Sequence, residues 1–173
     1  MGYPGHFMGY ALEWPKSEFK KPNAIVRSKD TEKWLYPNGF YCVVRRFSSK
    51  EEKRRVMAGV VRPDVFQEYE MIGLENHLNV FHINKKGLPE ALAYGLAGYL
   101  NSASVDERFR LFNGHTQVNA TDLMRIKYPS LKTLSELGEW ILEQGEPTKE
   151  QIDEKLKDIR GNYLKTQSLV LSM

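Results

Sequence analysis

The sequence predicts an α+β fold in which a curved antiparallel sheet packs against helices and a small helical tail ends the pattern. Three observations predict it. Segments rich in β-branched and aromatic residues fill the stretch from about 40 to 83, with connections too short for helical crossovers. At Pro89 the apolar pattern changes from strand-like alternation to helical spacing and keeps it thereafter. Strands therefore come first and helices last, the order of an α+β chain rather than of alternating α/β units. With 173 residues, 41% hydrophobic and 27% charged, the chain supports one core of ordinary size.

Residues 1–39 carry Pro4, Pro15, Pro22 and Pro37, with seven aromatics from Tyr3 to Tyr36 between them. Proline at that density forbids a long helix, so extended or looped chain pinned by aromatic side chains is expected. Pro37-Asn38-Gly39 is a turn. Phe40 to Phe47 reads as a strand, Arg54 to Val61 as a second, and Met71 to Ile83 as extended chain with Ile72, Leu74, Leu78 and Val80 on one parity. Pro89 starts a helix carrying Leu92, Leu96, Tyr99, Leu100 and Ala103. Asn101-Ser102 interrupts it, and Val105, Phe109 and Phe112 continue on a new helix stopped by Asn113-Gly114. Leu134, Leu137, Ile141 and Leu142 line a third helix ending at Gly145. Thr148 and Gln151 form a capping box for a fourth, with Ile152, Leu156 and Ile159 on one face. The expected division is an α+β domain over 1–130 and a helical extension over 131–173.

Charge is unevenly spread. Residues 1–62 hold 13 Lys/Arg against 6 Asp/Glu, whereas the remainder holds 12 against 16. A folded first third of that balance offers a positive face to an anionic partner. No apolar run approaches the ~18 residues of a membrane span, so a membrane partner is not expected. The N-terminus has no basic or apolar leader pattern, and Cys42 is the one cysteine, so a cytoplasmic protein is expected.

Catalytic motifs are scarce. There is no Gly-x-Gly and no Gly-x-Ser-x-Gly, which removes the dinucleotide, P-loop and hydrolase-elbow patterns. His6, His77, His82 and His115 have no cysteine or acid cluster to complete a metal site, and none is assigned. One enzymatic reading stays open: Asp30 with Glu51 and Lys53 fits the loose acid…Glu-x-Lys spacing of a small Mg²⁺-dependent DNA nuclease, two carboxylates holding the metal and a lysine steadying the nucleophile.

Binding chemistry is richer. Residues 45–62 hold seven Lys/Arg against two Glu. Arg45, Arg46, Lys50, Lys53, Arg54 and Arg55 bracket one turn and are suited to a phosphate backbone or a major groove. His77, Asn79 and His82 punctuate the next extended segment with hydrogen-bonding groups, and Lys85 and Lys86 follow. Asn113, Gly114, His115, Thr116, Gln117 and Asn119 form a third polar block. Arg45 or Arg46, with Asn79 and His77 or His82, are the expected base readers, since arginine and asparagine make paired hydrogen bonds to guanine and adenine, and phosphate contacts from Asn113 to Asn119 are expected to fix the register. Two bland alternatives stand beside this. The polar block can be a loop whose amides cap neighbouring backbone. Asn79 and His82 can pair with backbone at a sheet edge.

The stretches Gly39–Arg55 (GFYCVVRRFSSKEEKRR), Glu75–His82 (ENHLNVFH) and Leu100-Asn101-Ser102 … Asn113-Gly114-His115-Thr116-Gln117-Val118-Asn119-Ala120-Thr121-Asp122-Leu123, with Pro129 beyond, resemble one family. They are similar to the C-terminal target-recognition region of XhoI-type adenine-N6 DNA methyltransferases, relatives of the TaqI methylase. The likeness runs from about Glu13 to Leu156; Gly161 to Met173 match nothing. It implies a restriction–modification setting, double-stranded DNA as partner and a short palindromic, CTCGAG-like target. The Asn-Pro-Pro-Tyr motif of such enzymes is missing, since no asparagine precedes a proline here, and so is the glycine-rich S-adenosylmethionine loop. No catalytic or cofactor-binding residue is therefore assigned. The resemblance implies a methyltransferase catalytic domain, on the same or a separate polypeptide, that carries S-adenosylmethionine.

Overall fold

Strand β4 (Tyr41–Arg45) is the centre of the molecule because its first four residues are apolar and flanked by cover on both sides. Tyr41, Cys42, Val43 and Val44 are each at most 1% exposed. A strand buried on both faces needs an unbroken apolar run, and Tyr-Cys-Val-Val supplies one. The structure, a computed structural model, describes all residues except Tyr3, Gly9, Phe19, Lys50, Ser172 and Met173, and leaves out the side chains of Phe7, Met8 and 162–171.

Before β4 come three short strands, β1 (Phe7–Met8), β2 (Ala11–Leu12) and β3 (Leu35–Pro37); after it come β5 (Ala58–Val61), β6 (Met71–Gly73) and β7 (Leu78–Phe81). β4 pairs antiparallel with β5 on one side and β7 on the other, giving the order β5-β4-β7, with Val43 opposite Gly59 and Val80. β6 does not join this sheet. It pairs antiparallel with β3, and β1 pairs with β2. The fold is α+β, with extended chain from 35 to 83 and helices after it.

The helices are α1 (Glu90–Leu100), α2 (Ala103–Phe112), α3 (Ala120–Met124), α4 (Leu131–Gln144) and α5 (Lys149–Leu171). α1 buries eight of its eleven residues, so it has no polar face to turn to water and lies between the sheet and α4. Cys42, Val44 and Val60 meet Leu92, Leu96, Leu134, Leu137 and Ile141 in one cluster. Each such aliphatic side chain withdrawn from water contributes roughly 1.5–3 kcal/mol. Burial also pushes the Cys42 thiol far up from its ordinary value. On the opposite sheet face Tyr41, Val43 and Val61 meet Leu12, Phe66, Ile72 and Leu74.

Three helix ends are as the sequence reads: Ser102 accepts from Val105 N at 3.3 Å, Gly145 leaves α4 at φ +88°, and Thr148 and Gln151 form their reciprocal cap. At the start of α4, Ser130 accepts from Thr133 N at 3.1 Å. α4 belongs to the main core, and Ile152, Leu156 and Ile159 of α5 join it, so the packing crosses residue 130 without a break. Gly95 on α1 and Gly138 on α4 allow the two backbones to touch: a Cβ on Gly95 would lie 1.7 Å from Leu134 O, and one on Gly138 1.7 Å from Ala91 O.

Two expected strands are shorter than their β-former runs. Arg54–Val56 leaves the sheet because Asp106 on α2 takes its backbone, accepting from Arg55 N at 2.7 Å and Val56 N at 3.1 Å. Burial acts to raise the Asp106 carboxyl, but the Arg110 guanidinium and these two N–H groups outweigh it and leave it lowered. The extended run from 71 to 83 breaks at Glu75-Asn76, where Glu75 N donates to Gly2 O.

Candidate nucleic-acid interface

One end of the β5-β4-β7 sheet collects most of the residues singled out by sequence. Arg45 closes β4. Beyond it the chain runs on as an extension: Arg46 N donates to His77 O at 2.9 Å, Val118 N to Arg46 O at 2.7 Å, and Ser48 N to Thr116 O at 3.1 Å. Phe47 pairs with Gln117. The polar block after α2 is thus fastened alongside residues 46–48, and Gly114, His115 and Thr116 stay exposed at its tip.

Arg45, Arg46, Lys53, Arg54 and His77 surround this end. Arg45 is about one-third exposed and its guanidinium is paired with the Glu52 carboxylate. Glu52 also accepts from Ser49 N at 3.2 Å, which closes the turn between β4 and β5. Lys53 is exposed at the turn, and Arg54 is half-buried with its guanidinium on Asn101 O. His77 Nδ1 lies 2.9 Å from Glu75, and its ring meets the exposed Phe47 edge-on at 4.8 Å. A cleft of about 560 Å³ opens here between Arg45, Phe47, His77, Thr116 and Lys21. A guanidinium, an imidazole, an exposed aromatic ring and the exposed residues of a loop tip around one cleft can meet phosphates and base edges together.

Other expected site residues are placed differently. Arg55 is 1% exposed. Its guanidinium donates to Asn113 Oδ1 at 3.0 Å and to His115 O, and lies over the Phe109 ring at 5.9 Å. It is a core strut behind the loop, out of reach of a phosphate. Asn113 is also buried: it accepts from Arg55 and from His115 N, and donates to Gln117 O at 3.1 Å and Asp122 Oδ2 at 3.0 Å. Asn119 caps α3 in a box with Asp122. Asn79 Nδ2 donates to Val118 O at 2.8 Å, and His82 Nδ1 accepts from Lys85 N at 3.1 Å. His82, Lys85 and Lys86 stand beyond the opposite end of β7, with His82 about 17 Å from His77 at strand rise. Lys50 lies outside the described residues. Asp30 sits in the exposed turn before the 3₁₀ turn Glu32–Trp34, and Glu51 in the β4–β5 turn. Among the described residues no three His, Cys, Asp or Glu side chains gather as metal ligands.

Sequence reasoning missed Lys21, Phe47, Asp106 and Arg110. Arg110 donates to the Glu52 backbone carbonyl at 2.8 Å and to Asp106 at 2.9 Å, tying the β4–β5 turn to α2. Phe47 carried one visible signal, a large aromatic next to a charged turn. The other three depend on partners far away along the chain.

Comparison with known proteins matches this chain over nearly its whole length. It is 55% identical over 165 residues to the Type II methyltransferase M.BsuBI of Bacillus subtilis, covering 92% of the chain and 32% of that protein. It is similar to one third of a Type II methyltransferase. A second relative, the Type II methyltransferase M.PstI of Providencia stuartii, is 41% identical over 152 residues, covering 88% of the chain and 30% of its own length. No family model and no solved structure matches. The chain is thus a methyltransferase-related module, and it spans about a third of the length of these relatives. Among its described residues no helix is long and apolar enough to cross a membrane.

Proposed function

We propose that this chain is the sequence-specific double-stranded DNA recognition part of an adenine-N6 methyltransferase in a restriction–modification system. The observation that carries the reading is the convergence of Arg45, Arg46, Lys53 and His77 with the exposed residues 114–116 at one end of the sheet. The similarity to one third of two Type II methyltransferases, in a chain with no Asn-Pro and no Gly-x-Gly, supports assigning methyl transfer to a further domain. That domain, on the same or a separate polypeptide, holds S-adenosylmethionine and is this module's protein partner. Arg45 and the loop tip read bases, while Arg46 and Lys53 set the register on phosphates. Asn79, with its amide on Val118 O, supports the loop rather than reading adenine.

Duplex binding should weaken steeply with salt. Arg46→Ala with Lys53→Ala should flatten the plot of log affinity against log salt by about 0.9 for each phosphate no longer neutralised. An unchanged slope would move the interface elsewhere. Selection from a random duplex pool should enrich one short motif, and failure to enrich any would remove sequence recognition from this chain.

Glu52 competes with DNA for Arg45. Glu52→Gln keeps the turn-closing acceptor but removes the charge, so non-specific duplex binding should tighten about three- to tenfold at low salt. The gain should shrink near physiological ionic strength. A weaker-binding variant would mean that Glu52 positions Arg45 instead of occupying it.

A further inference from the structure

The opposite end of β7 carries a second set of aromatic and basic groups that the cleft at Arg45 does not use. After β7 the chain makes a two-residue turn in which Asn84 and Lys85 are both left-handed, at φ 50° and 61°, with Ile83 and Lys86 paired across it. This bend brings Lys85 Nζ to the Lys33 carbonyl at 2.6 Å and over the Tyr36 ring at 6.0 Å. Lys33 Nζ lies over the Trp34 ring at 5.4 Å, and Trp34 is 55% exposed. Neither Lys33 nor Lys85 joins an ion pair with any carboxylate among the described residues.

A groove of about 800 Å³ begins beside these groups. Trp34, Tyr36, Ile25 and Val80 line it, with Lys33 at one end and Lys21 at the other. Lys21 also lines the cleft at Arg45, so the groove leads from one basic end of the sheet to the other. The groove's Glu75 is already held by His77 and Lys21.

We propose that this groove binds a single-stranded or extrahelical stretch of DNA, with an unstacked base on Trp34 and phosphates on Lys33 and Lys85. An aromatic face stacks any base, and flanking ammonium groups track the backbone, which is the chemistry of non-specific single-strand binding. A regular duplex keeps its bases stacked inside and offers Trp34 nothing to lie against. The inference rests on the reading of the chain as DNA-binding, and the test separates the two.

The test titrates the full chain with a twelve-nucleotide oligothymidylate and, separately, with a blunt duplex. Oligothymidylate should quench tryptophan emission in the parent protein and leave Trp34→Phe, which keeps Trp14 and Trp140, nearly unquenched. Trp34→Ala should weaken single-strand affinity about 5- to 150-fold while duplex affinity holds. Lys33→Glu, which leaves the apolar lining intact, should weaken it as well. Duplex binding without single-strand binding, or single-strand binding indifferent to both Trp34 and Lys33, overturns this site alone. Absence of binding to either nucleic acid overturns both readings.

Discussion

Gly138→Ala should unfold the protein at markedly lower urea concentration, with a loss of about 3 kcal/mol or more. One methyl group causes this because it has nowhere to go: its carbon would sit 1.7 Å from the Ala91 carbonyl oxygen and 2.8 Å from Gly95 N. Both are backbone atoms of α1, so no rotamer change relieves the clash and the helices must separate. Alanine gains up to about 1 kcal/mol over glycine in a helix interior, which is smaller than the overpacking cost and the reduced burial along α1. Gly95→Ala should match it, against Leu134 O. Gly98→Ala should cost less, because the 2.2 Å neighbour there is the Ile141 methyl, which can swing away. Gly161→Ala meets nothing within 4 Å and should be neutral or stabilising. Equal effects at all four positions would refute backbone contact between α1 and α4.

Arg55→Ala should destabilise by about 3 kcal/mol, and Arg55→Met by less. The side chain is wholly buried and holds the loop 113–119 through Asn113 and the His115 carbonyl. Hydrogen bonds from a charged donor contribute roughly 1.5–3 kcal/mol, and alanine adds a cavity beside Phe109. Methionine fills most of that space and removes the cost of burying a guanidinium, so part of the loss is recovered. Both variants, compared where they are folded, should keep the parent salt dependence of duplex binding. A flattened slope with unchanged stability would instead place this guanidinium on DNA.

These two cases mark where the sequence was legible. Element types followed from local chemistry: Pro89 and Gly145 bound helices, Thr148 and Gln151 cap one, and the β-formers from Phe40 to Phe47 mark a strand, though its cover on both faces was not legible. The basic cluster was legible as a cluster, but its members were not separable. Arg54, Arg55 and Lys53 are adjacent, yet one bonds the Asn101 carbonyl, one is buried and one is exposed. Nothing local distinguishes them, because Asp106, far along the chain on α2, draws this turn inward. The block from Asn113 to Asn119 has the same lesson. Its amides read equally well as DNA ligands or as loop fastenings, and Asn113 and Asn119 are fastenings, leaving only the 114–116 tip open.

Asn101, between α1 and α2, has a further consequence for how copies of the protein meet. Its carboxamide accepts from Ala58 N at 3.0 Å and donates to Ala58 O at 2.8 Å, while Val60 N is taken by Tyr10 O at 2.9 Å. β5 is the outermost strand of its sheet, and an open outer strand is a template on which another chain can lengthen the sheet. Here three outward backbone groups of that strand are spent within the molecule, both of Ala58 on a side chain that imitates a neighbouring strand and the Val60 N–H on the N-terminal segment. A second copy approaching β5 at high concentration therefore meets an edge on which Ala58 N, Ala58 O and Val60 N are already taken, and lengthening the sheet there would first have to break those bonds.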